Sequence, residues 1–369
     1  MKNVFVAVAT GQKIANLPPI LQYAERGDRV MWLLSPEAKD KMWLEGVLSV
    51  LENRGISSQC FDVKDLYSPK EVRDVVLNDI SLSECEDNVF FVLNGGPKLT
   101  PVGLVFAGRA LQKKAKSILY LHGDTKTFFR RYSNIIDESL SSFESDFYDR
   151  DKMLTLKEIV EINGKRLGAP KYVWSVGHGD IEADLLDGDS VESFRNALMT
   201  RPAQNLGDRF EKAVLRRVVQ FFCLPKNRKY KAIVKEVVWH AGLFKNDPET
   251  DFDVAIVLLN GIVLHLECKS GTLLRKDLQS RILVLEKATS RIARLYVVVP
   301  FFPDLDSELF ERQYKRRKEL ADADNVNELL FTDENEERKM FRSPTGREEE
   351  MPQLFESAFS GILDDFLPH

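Results

Sequence analysis

Two apolar runs joined by Asn260-Gly261 are the feature that most constrains the fold of this chain. The runs cover residues 253–259 and 261–267, and both are rich in β-branched and aliphatic residues. Asn-Gly between such runs is a strong hairpin signal, because both residue types tolerate a positive φ. The sequence therefore predicts a β-hairpin that turns at Asn260 and Gly261.

The second run of this hairpin carries its polar residues on one side. Side chains alternate between the two faces of a strand, so His265, Glu267 and Lys269 share a face. Antiparallel pairing around the turn also brings Asp253 next to Glu267. Burying such charges costs several kcal/mol unless they pair with one another or hold a metal ion. A charged cluster with a function is therefore predicted on the hairpin.

Size and composition indicate a two-domain protein, because 369 residues are enough for two cores of ordinary size. The formal net charge of -5 combines 52 basic with 57 acidic residues, so it does not exclude a local nucleic-acid surface. The four cysteines lack metal-ligand spacing, which argues against zinc and suits reduced thiols in a cytoplasmic protein. The N-terminal apolar run is too short to span a membrane, so no membrane association is expected.

The N-terminal half alternates short apolar runs with amphipathic stretches. Strands are predicted at 4–9, 30–34, 89–93 and 118–121, with helices near 17–26, 38–54, 69–79 and 101–115. This alternation predicts a Rossmann-like α/β domain with an open parallel sheet over residues 1–140. Ligands of such sheets bind beyond the carboxyl ends of the strands.

The C-terminal half predicts a second α/β domain with a mixed sheet over residues 201–369. Its elements are a helix from Gly207, strands near 233–239, 252–259, 261–267 and 295–299, and a helix near 275–291. Residues 141–200 form a connector with some structure of its own. The densely charged segment 304–350 is predicted as solvated helix and loop, and 354–366 as a helix that packs on a core.

Asp253, Glu267 and Lys269 are residue types that phosphodiester hydrolysis requires. The reaction needs a divalent ion held by carboxylates, a nucleophilic water, and a cation near the developing charge. Magnesium prefers oxygen ligands and keeps several waters, so Asp253, Glu267 and the backbone carbonyl of Cys268 would suffice. The structural alternative is that Asp253 hydrogen-bonds its turn and that Glu267 and Lys269 form an ion pair on an exposed face.

Asp253 followed by Glu267-Cys268-Lys269 resembles the D…ExK signature of the PD-(D/E)xK, restriction-endonuclease-like nucleases. The resemblance implies two metal ligands, Asp253 and Glu267, and a catalytic Lys269. It also implies a further catalytic acid on a preceding helix, a place that Glu211 fits. The alternative for Glu211 is a helix capping box with Asp208, in which the acid only satisfies backbone donors.

Three loops at the carboxyl ends of the predicted N-terminal strands are candidate ligand sites. They are Thr10-Gly11-Gln12, Ser35-Pro36 and Asn94-Gly95-Gly96-Pro97-Lys98-Leu99-Thr100. In the third loop the glycines permit close backbone approach, the next helix presents free N–H groups, and Lys98 adds charge, which together predict an anion pocket. The loops contain neither a Gly-x-Gly-x-x-Gly fingerprint nor a P-loop.

The first and third loops together resemble those of the CARF (CRISPR-associated Rossmann-fold) domain, which hold a cyclic oligoadenylate. Pro97 stands where the third loop of that family often has Thr. By this resemblance the ligand contacts are Thr10, Gly11, Gln12, Ser35, Asn94, Gly95, Gly96, Lys98 and Thr100. A CARF-like domain followed by a PD-(D/E)xK domain is similar to the ancillary nucleases of type III CRISPR systems. That similarity implies a homodimer with one ring-shaped ligand on its two-fold axis.

The combined hypothesis is a metal-dependent endonuclease with Mg2+ or Mn2+ as cofactor and cyclic tetra-adenylate as allosteric activator. Its substrate is a nucleic acid, either DNA or RNA. Activation requires that the ligand prefers the closed, active state. Two alternatives remain open, namely a non-catalytic sensor that binds nucleic acid or a partner, and a ligand-independent restriction or repair endonuclease.

Overall fold

A computed structural model of the chain contains two mixed sheets with helices packed around them. The backbone is described for residues 2–80, 88–111, 115–121, 128–133, 143–176, 191–199, 205–270, 275–289, 294–300, 327–331 and 355–367. Within these ranges side chains are described except for 115–121, 128–133, 143–147, 191, 198–199, 275–279 and 327–330.

The N-terminal sheet confirms the predicted parallel α/β domain. Its strands are β1 (Asn3–Val8), β2 (Arg29–Leu34), β3 (Ser57–Asp62), β4 (Asn88–Val92), β5 (Ala115–Leu121), β6 (Phe128–Ser133) and β7 (Phe143–Phe147). Their order is β3-β2-β1-β4-β5-β6-β7. The pairs from β3 to β5 are parallel, and β6 and β7 extend the sheet antiparallel. Strand order changes direction between β1 and β4, which is where ligands of open sheets bind.

The helices of this half are α1 (Leu17–Tyr23), α2 (Pro36–Asp40), α3 (Glu45–Asn53), α4 (Pro69–Asn78) and α5 (Thr100–Ala110). The single helix predicted at 38–54 is two helices, because Met42 takes a φ of 49° between them. The sequence also did not predict β3. Its residues are mostly exposed and polar, and an edge strand shows little of the alternation that marks a buried one.

The second sheet is mixed, as predicted. Its strands are β8 (Arg166–Leu167), β9 (Tyr172–Ser175), β10 (Val234–Phe244), β11 (Pro248–Leu258), β12 (Val263–Cys268), β13 (Arg294–Pro300) and β14 (Asn327–Phe331). The order is β14-β13-β12-β11-β10-β8, with β9 also paired to β10. The first two strands come from the predicted connector and join this sheet. The interpretation of 304–350 as helix and loop was wrong for Asn327–Phe331, and its other residues lie outside the described part.

The helices of this half are α6 (Leu156–Ile162), α7 (Val191–Met199), α8 (Leu206–Cys223), α9 (Arg228–Ala232), α10 (Arg275–Ala288) and α11 (Phe355–Asp364). Aromatic residues of α8 and α11 are buried in one cluster with residues of β10–β13, and the rings of Phe222 and Phe359 meet edge-on with centroids 5.7 Å apart. Burial of these rings and of the aliphatic residues around them stabilises the packing of the two helices on the sheet. In the described part of the chain, no helix combines the length and apolarity needed to cross a bilayer.

The hairpin predicted at Asn260-Gly261 is confirmed, with a longer turn than expected. Strands β11 and β12 are antiparallel and pair Val257 with Val263. The Gly261 N–H donates to the Leu258 carbonyl at 2.9 Å. Of the Asn-Gly pair only Gly261, at a φ of 83°, takes a positive φ. The connection is therefore a longer loop that needs one glycine, and not the two-residue turn that needs both residues in that conformation.

Helix α6 lies between the two sheets and is held from both sides. Thr155 and Glu158 close its N-terminus as a capping box. Arg54, the C-cap of α3, donates from Nε to Glu158 at 2.7 Å, and the buried Glu236 of β10 accepts the Leu156 N–H at 2.7 Å. One cluster of buried apolar residues also runs continuously from the first sheet through α6 to the hairpin. The halves thus share a packed core.

Candidate active site and ligand loops

The two hairpin acids lie side by side, as the spacing predicts. Val254 pairs with Leu266, which places Asp253 of β11 beside Glu267 of β12. The two residues are only 2% and 0% exposed. Asp253 Oδ2 accepts the backbone N–H of Cys268 at 2.7 Å, so this carboxylate is fixed to the neighbouring strand. The hairpin therefore holds two buried carboxylates in one place, and the exposed ion pair of the structural alternative is wrong.

Two cations face these acids. Lys269 Nζ is 2.5 Å from Glu267 Oε1 and 3.9 Å from Asp253 Oδ2. Arg281 of α10 places Nη1 at 2.6 Å from Glu267 Oε1 and 2.7 Å from Oε2. The same atom is 3.6 Å from Asp251 Oδ1 and 4.0 Å from Asp253 Oδ1. The cluster thus contains three acids and two cations, of which the sequence predicted two acids and the lysine.

Burial dominates the electrostatics of this cluster. The pKa of Asp253 is well above the usual aspartate range, first because desolvation disfavours its charge and second because Glu267 repels it. Burial disfavours the charged form of Lys269 as well, but the attraction of Glu267 and Asp253 outweighs it and raises the lysine pKa. Burial and the neighbouring carboxylate thus both oppose ionisation of Asp253.

His265 shares the face of Glu267, as predicted. Its imidazole is neutral and supports the strand that carries Asp253. Its Nε2 accepts the Asp253 N–H at 3.3 Å, and its ring meets Phe252 edge-on with centroids 5.4 Å apart. Burial lowers the pKa of His265 to about 4. A neutral ring that accepts the Asp253 N–H braces the strand that carries this acid.

Glu211 of α8 lies close enough for its charge to raise the pKa of Asp253 further. Its Oε2 is 3.3 Å from both Trp239 Nε1 and His240 Nδ1. The capping-box alternative is wrong, because α8 begins at Leu206 after the N-cap Asn205, whose side chain makes no capping hydrogen bond. A role for Glu211 in catalysis stays a prediction.

The residues on the hairpin fit a magnesium-type ion held by few protein ligands. Within the described ranges, no group of three or more His, Cys, Asp or Glu residues has the arrangement of a metal site. Two carboxylates with one carbonyl do not require such a group, since magnesium keeps several waters. Glu267 Oε1 is buried and has ion-pair contacts but no well-oriented hydrogen bond. Asp253, Glu267 and the Cys268 carbonyl therefore suit a divalent ion.

The first and third ligand loops meet at the ends of the parallel strands β1 and β4. A side-chain carbon on Gly95 would lie 2.8 Å from Thr10 Cγ2 and 2.9 Å from Asn16 Nδ2, so only glycine fits there. Thr10 Oγ1 accepts the Gln12 N–H at 3.0 Å. Asn16 is buried and donates to the Val8 carbonyl at 2.7 Å. The structure thus brings these two loops together, and it adds Asn16, which the sequence did not single out.

The other predicted ligand residues differ in their exposure and in the hydrogen bonds they already make. Gly11, Gln12, Gly96 and Lys98 are exposed, and Asn94 is partly buried. Ser35 follows β2 and accepts the Ala38 N–H at 3.1 Å as the cap of α2. Thr100 is the exception, because its hydroxyl is buried and donates to the Leu66 carbonyl at 2.8 Å. Its side chain anchors the third loop, and a direct hydroxyl contact with a ligand is not available to it.

Comparison with solved structures finds the same fold over most of the chain. Protein VC1899 from Vibrio cholerae matches with a TM-score of 0.58 at 12% identity, over 88% of this chain and 94% of that one. Can2 from Sulfobacillus thermosulfidooxidans, in complex with cyclic tetra-adenylate, matches with a TM-score of 0.50 at 15% identity, over 88% and 95%. A type III CRISPR defence DNA nuclease activated by cyclic oligoadenylate matches with a TM-score of 0.56 at 15% identity, over 94% and 53%.

No protein-family model and no curated protein matches the sequence. Identities of 12% and 15% show a shared fold and do not transfer chemistry. The fold that these comparisons share with the chain is the one the two sequence motifs predict, a Rossmann-like domain followed by a nuclease-like domain. The chain therefore has the fold of the CARF nucleases that its sequence resembles.

Proposed function

We propose that the chain is a metal-dependent nuclease of type III CRISPR defence, activated by cyclic tetra-adenylate. The observation that carries this proposal is the cluster of Asp253, Glu267 and Lys269, buried together on the hairpin. Taking two carboxylates out of water side by side is costly even when Lys269 and Arg281 face them, and a nuclease site explains why the cluster is there. The fold shared with a Can2–cyclic tetra-adenylate complex and a cyclic-oligoadenylate-activated nuclease supports the activator.

In the proposed site Asp253, Glu267 and the Cys268 carbonyl would hold Mg2+ or Mn2+, and the bound ion would supply Lewis-acid stabilisation of the phosphate and an activated water. The Nζ atom of Lys269 lies beside the two acids, 2.5 Å from Glu267 Oε1. From there its ammonium orients the attacking water and stabilises the negative charge that develops on the phosphate. Glu211 is proposed as a further catalytic acid, because it lies close enough to influence Asp253.

In the proposed ligand site the backbone of the Asn94–Gly96 loop approaches the phosphates of cyclic tetra-adenylate. Lys98 supplies a positive charge, and Thr10, Gly11, Gln12 and Ser35 line the neighbouring strand ends. Thr100 takes part only by anchoring the loop. The exposure of Gly96 and Lys98 supports this assignment, since both can be reached by a large ring-shaped ligand.

A homodimer is proposed because a two-fold symmetric ring is best held by two identical sets of loops. Helix α5 directly follows the third loop and carries an exposed apolar stripe. Val102 and Phe106 of this helix and Leu99 at its N-cap are 38%, 45% and 46% exposed. Contiguous exposed apolar residues next to a ligand site suit contact with a second copy of the chain.

Helix α6 supports coupling between the two sites. Lys13, which follows the first ligand loop, donates to the carbonyl of Ile162 at the end of α6 at 3.3 Å. At the other end of the helix, Leu156 donates to Glu236 of the nuclease-like sheet. A ligand that moves the first loop would therefore also move α6, which is hydrogen-bonded to both halves of the protein.

The test is cleavage of supercoiled plasmid, single-stranded DNA and single-stranded RNA by the purified protein. Each substrate is incubated with Mn2+ or Mg2+, with and without cyclic tetra-adenylate, and the isosteric variant Glu267→Gln is the control. Cleavage that needs ligand, stops with a chelator and is absent in Glu267→Gln is expected. Ligand binding without cleavage of any substrate would refute the catalytic assignment, and cleavage unaffected by ligand would refute the activator.

A further inference from the structure

Arg281 occupies the position in the acid cluster that a chelated cation would take. Its Nη1 is almost equally distant from the two oxygens of Glu267, at 2.6 and 2.7 Å. The same atom is 4.0 Å from Asp253 Oδ1. A divalent ion bound by both carboxylates at the usual metal–oxygen distance of about 2.1 Å would need the same oxygens. A divalent ion chelated by both oxygens of Glu267 would therefore have to take the place that Arg281 Nη1 fills.

Repulsion between cations leads to the same conclusion. Lys269 Nζ and Arg281 Nη1 already lie 2.5 and 2.6 Å from the same oxygen, Glu267 Oε1. A divalent ion on this carboxylate would add a third cation, and like charges at such short range repel strongly. Arg281 is the cation whose displacement frees the position between the two Glu267 oxygens.

The Arg281 side chain can move away from Glu267, because it is partly exposed and has further N–H donors for another anion. Its side chain is 28% exposed, whereas the Glu267 side chain is fully buried. Its side-chain hydrogen bond to Glu267 is made by Nη1, and a guanidinium has five N–H donors arranged for bidentate contact with phosphate. A substrate phosphate at the mouth of the site offers this side chain a replacement anion.

We propose that Arg281 is a resident cation that competes with the divalent metal for Glu267 and transfers to the substrate phosphate when the metal binds. The inference rests on the proposed nuclease function. It makes Arg281 a substrate-contacting residue of the active site in the metal-bound form. In the metal-free form the same side chain holds the buried acids together.

Metal binding in the absence of substrate tests the competition directly. Mn2+ binding is titrated by electron paramagnetic resonance of the free ion for the wild type, Arg281→Gln and Arg281→Lys. Arg294→Gln, which removes a surface arginine paired with Asp365 in the same domain, is the matched control. We expect Arg281→Gln to bind Mn2+ roughly tenfold more tightly, the effect of removing one nearby charge. Arg281→Lys keeps the charge and should gain less.

A second readout keeps the test decisive if Arg281→Gln is unstable. Without metal its melting temperature should fall, because the acids lose a partner, and Mn2+ should raise it by more than in the wild type. With Ca2+ as a non-catalytic ion, Arg281→Gln should bind single-stranded DNA or RNA more weakly than Arg294→Gln does. That loss is expected because the phosphate contact is missing.

The outcomes separate this inference from the proposed function. Unchanged or weaker Mn2+ affinity in Arg281→Gln, with binding still lost in Glu267→Gln, overturns the competition and leaves the metal site standing. Unchanged nucleic-acid affinity overturns the transfer to phosphate. Absence of Glu267-dependent Mn2+ binding in every variant overturns both this inference and the metal-dependent function.

Discussion

The loop site beside β1 and β4 is shaped by backbone and small residues, whereas the hairpin site is shaped by buried charge. In the first, Gly95 leaves no room for a side chain and Lys98 is the exposed cation of its loop. In the second, Asp253 and Glu267 are buried against Lys269. The loop site therefore binds through its shape and its backbone N–H donors, and the hairpin site acts through the electric field of its buried charges.

The two sites are suited to different tasks. Exposed backbone amides recognise an anion without burying any charge beforehand, so the loops suit a ligand that arrives and leaves. Buried acids near a lysine are preorganised for charge that develops during a reaction. The same difference predicts that the hairpin site fails when a charge is removed and that the loop site fails when an atom is added.

The largest expected effect is loss of cleavage from the hairpin site. Lys269→Ala should reduce ligand-activated cleavage at least about 100-fold, because one charge-stabilising group near the phosphate is worth that much. Its affinity for cyclic tetra-adenylate, measured by calorimetry, should stay unchanged. Lys287→Ala removes an exposed lysine of α10 and serves as the control. Equal activity of the two variants would show that Lys269 is only a structural partner of Glu267.

The next effect comes from adding an atom to the loop site. Gly95→Ala places a carbon 2.8 Å from Thr10 Cγ2, so the two loops must separate. Affinity for cyclic tetra-adenylate should fall roughly tenfold or more, since overpacking of this kind costs a few kcal/mol. Mn2+ binding at the hairpin should remain. Gly361→Ala, where the new carbon meets open space, is the control. Normal ligand affinity in Gly95→Ala would move the ligand site elsewhere.

A smaller effect is expected from removal of the charge in the loop site. Lys98 is exposed, and water screens an exposed charge, so Lys98→Ala should weaken ligand binding about fivefold at low salt. The difference from wild type should shrink as salt concentration rises. Lys64→Ala removes another exposed lysine of the same half and should change nothing. A salt-independent loss in Lys98→Ala would indicate a packing role for this side chain.

The smallest effect concerns the helix between the sites. Burial alone would raise the pKa of Glu158, but hydrogen bonds from Arg54 and the Thr155 backbone lower it. The folded pKa is therefore below the unfolded value, so this stabilisation is present at neutral pH and is lost as pH falls through the folded pKa. Glu158→Gln should cost about 1–2 kcal/mol in urea unfolding at pH 7.

The gap between Glu158→Gln and the wild type should begin to narrow near the unfolded glutamate pKa of about 4.3 and close as pH falls through the lower folded pKa. Cleavage by the fully folded variant should be less dependent on ligand, while metal binding and ligand affinity taken separately stay near normal. A gap that persists at low pH would mean that the Arg54 contact contributes little. Full ligand dependence would remove α6 from the path between the sites.

Several elements were predictable because their signals are local. The hairpin, the parallel strands β1, β2 and β4, and the neighbouring positions of Asp253 and Glu267 follow from residue pattern and turn chemistry. Strands β3, β6, β7, β8, β9 and β14 were not predicted. They are short or polar and lie at or near the edges of the sheets, where a strand is defined by its partner and not by its own alternation.

The site residues divide in the same way. Arg281 carries no motif and reaches the acids only because α10 packs over the hairpin, so no sequence signal could have found it. Thr100 belongs to the predicted third loop, but its hydroxyl turns inward to the Leu66 carbonyl. Glu211 was placed near Asp253 by resemblance, and its contacts with Trp239 and His240 come from the packing of α8.

The residue pattern alone predicts which side chains share a face of β12, because the period of a strand is two and holds in any fold. The same pattern places Lys269 beside Glu267 and a glycine-rich loop after β4. The second cation, Arg281, required the folded structure, because it reaches Glu267 only through the packing of α10 on the sheet. The side chain fixes which charges and hydrogen bonds a residue can contribute, and the packing of helices on sheets fixes which partner it contacts.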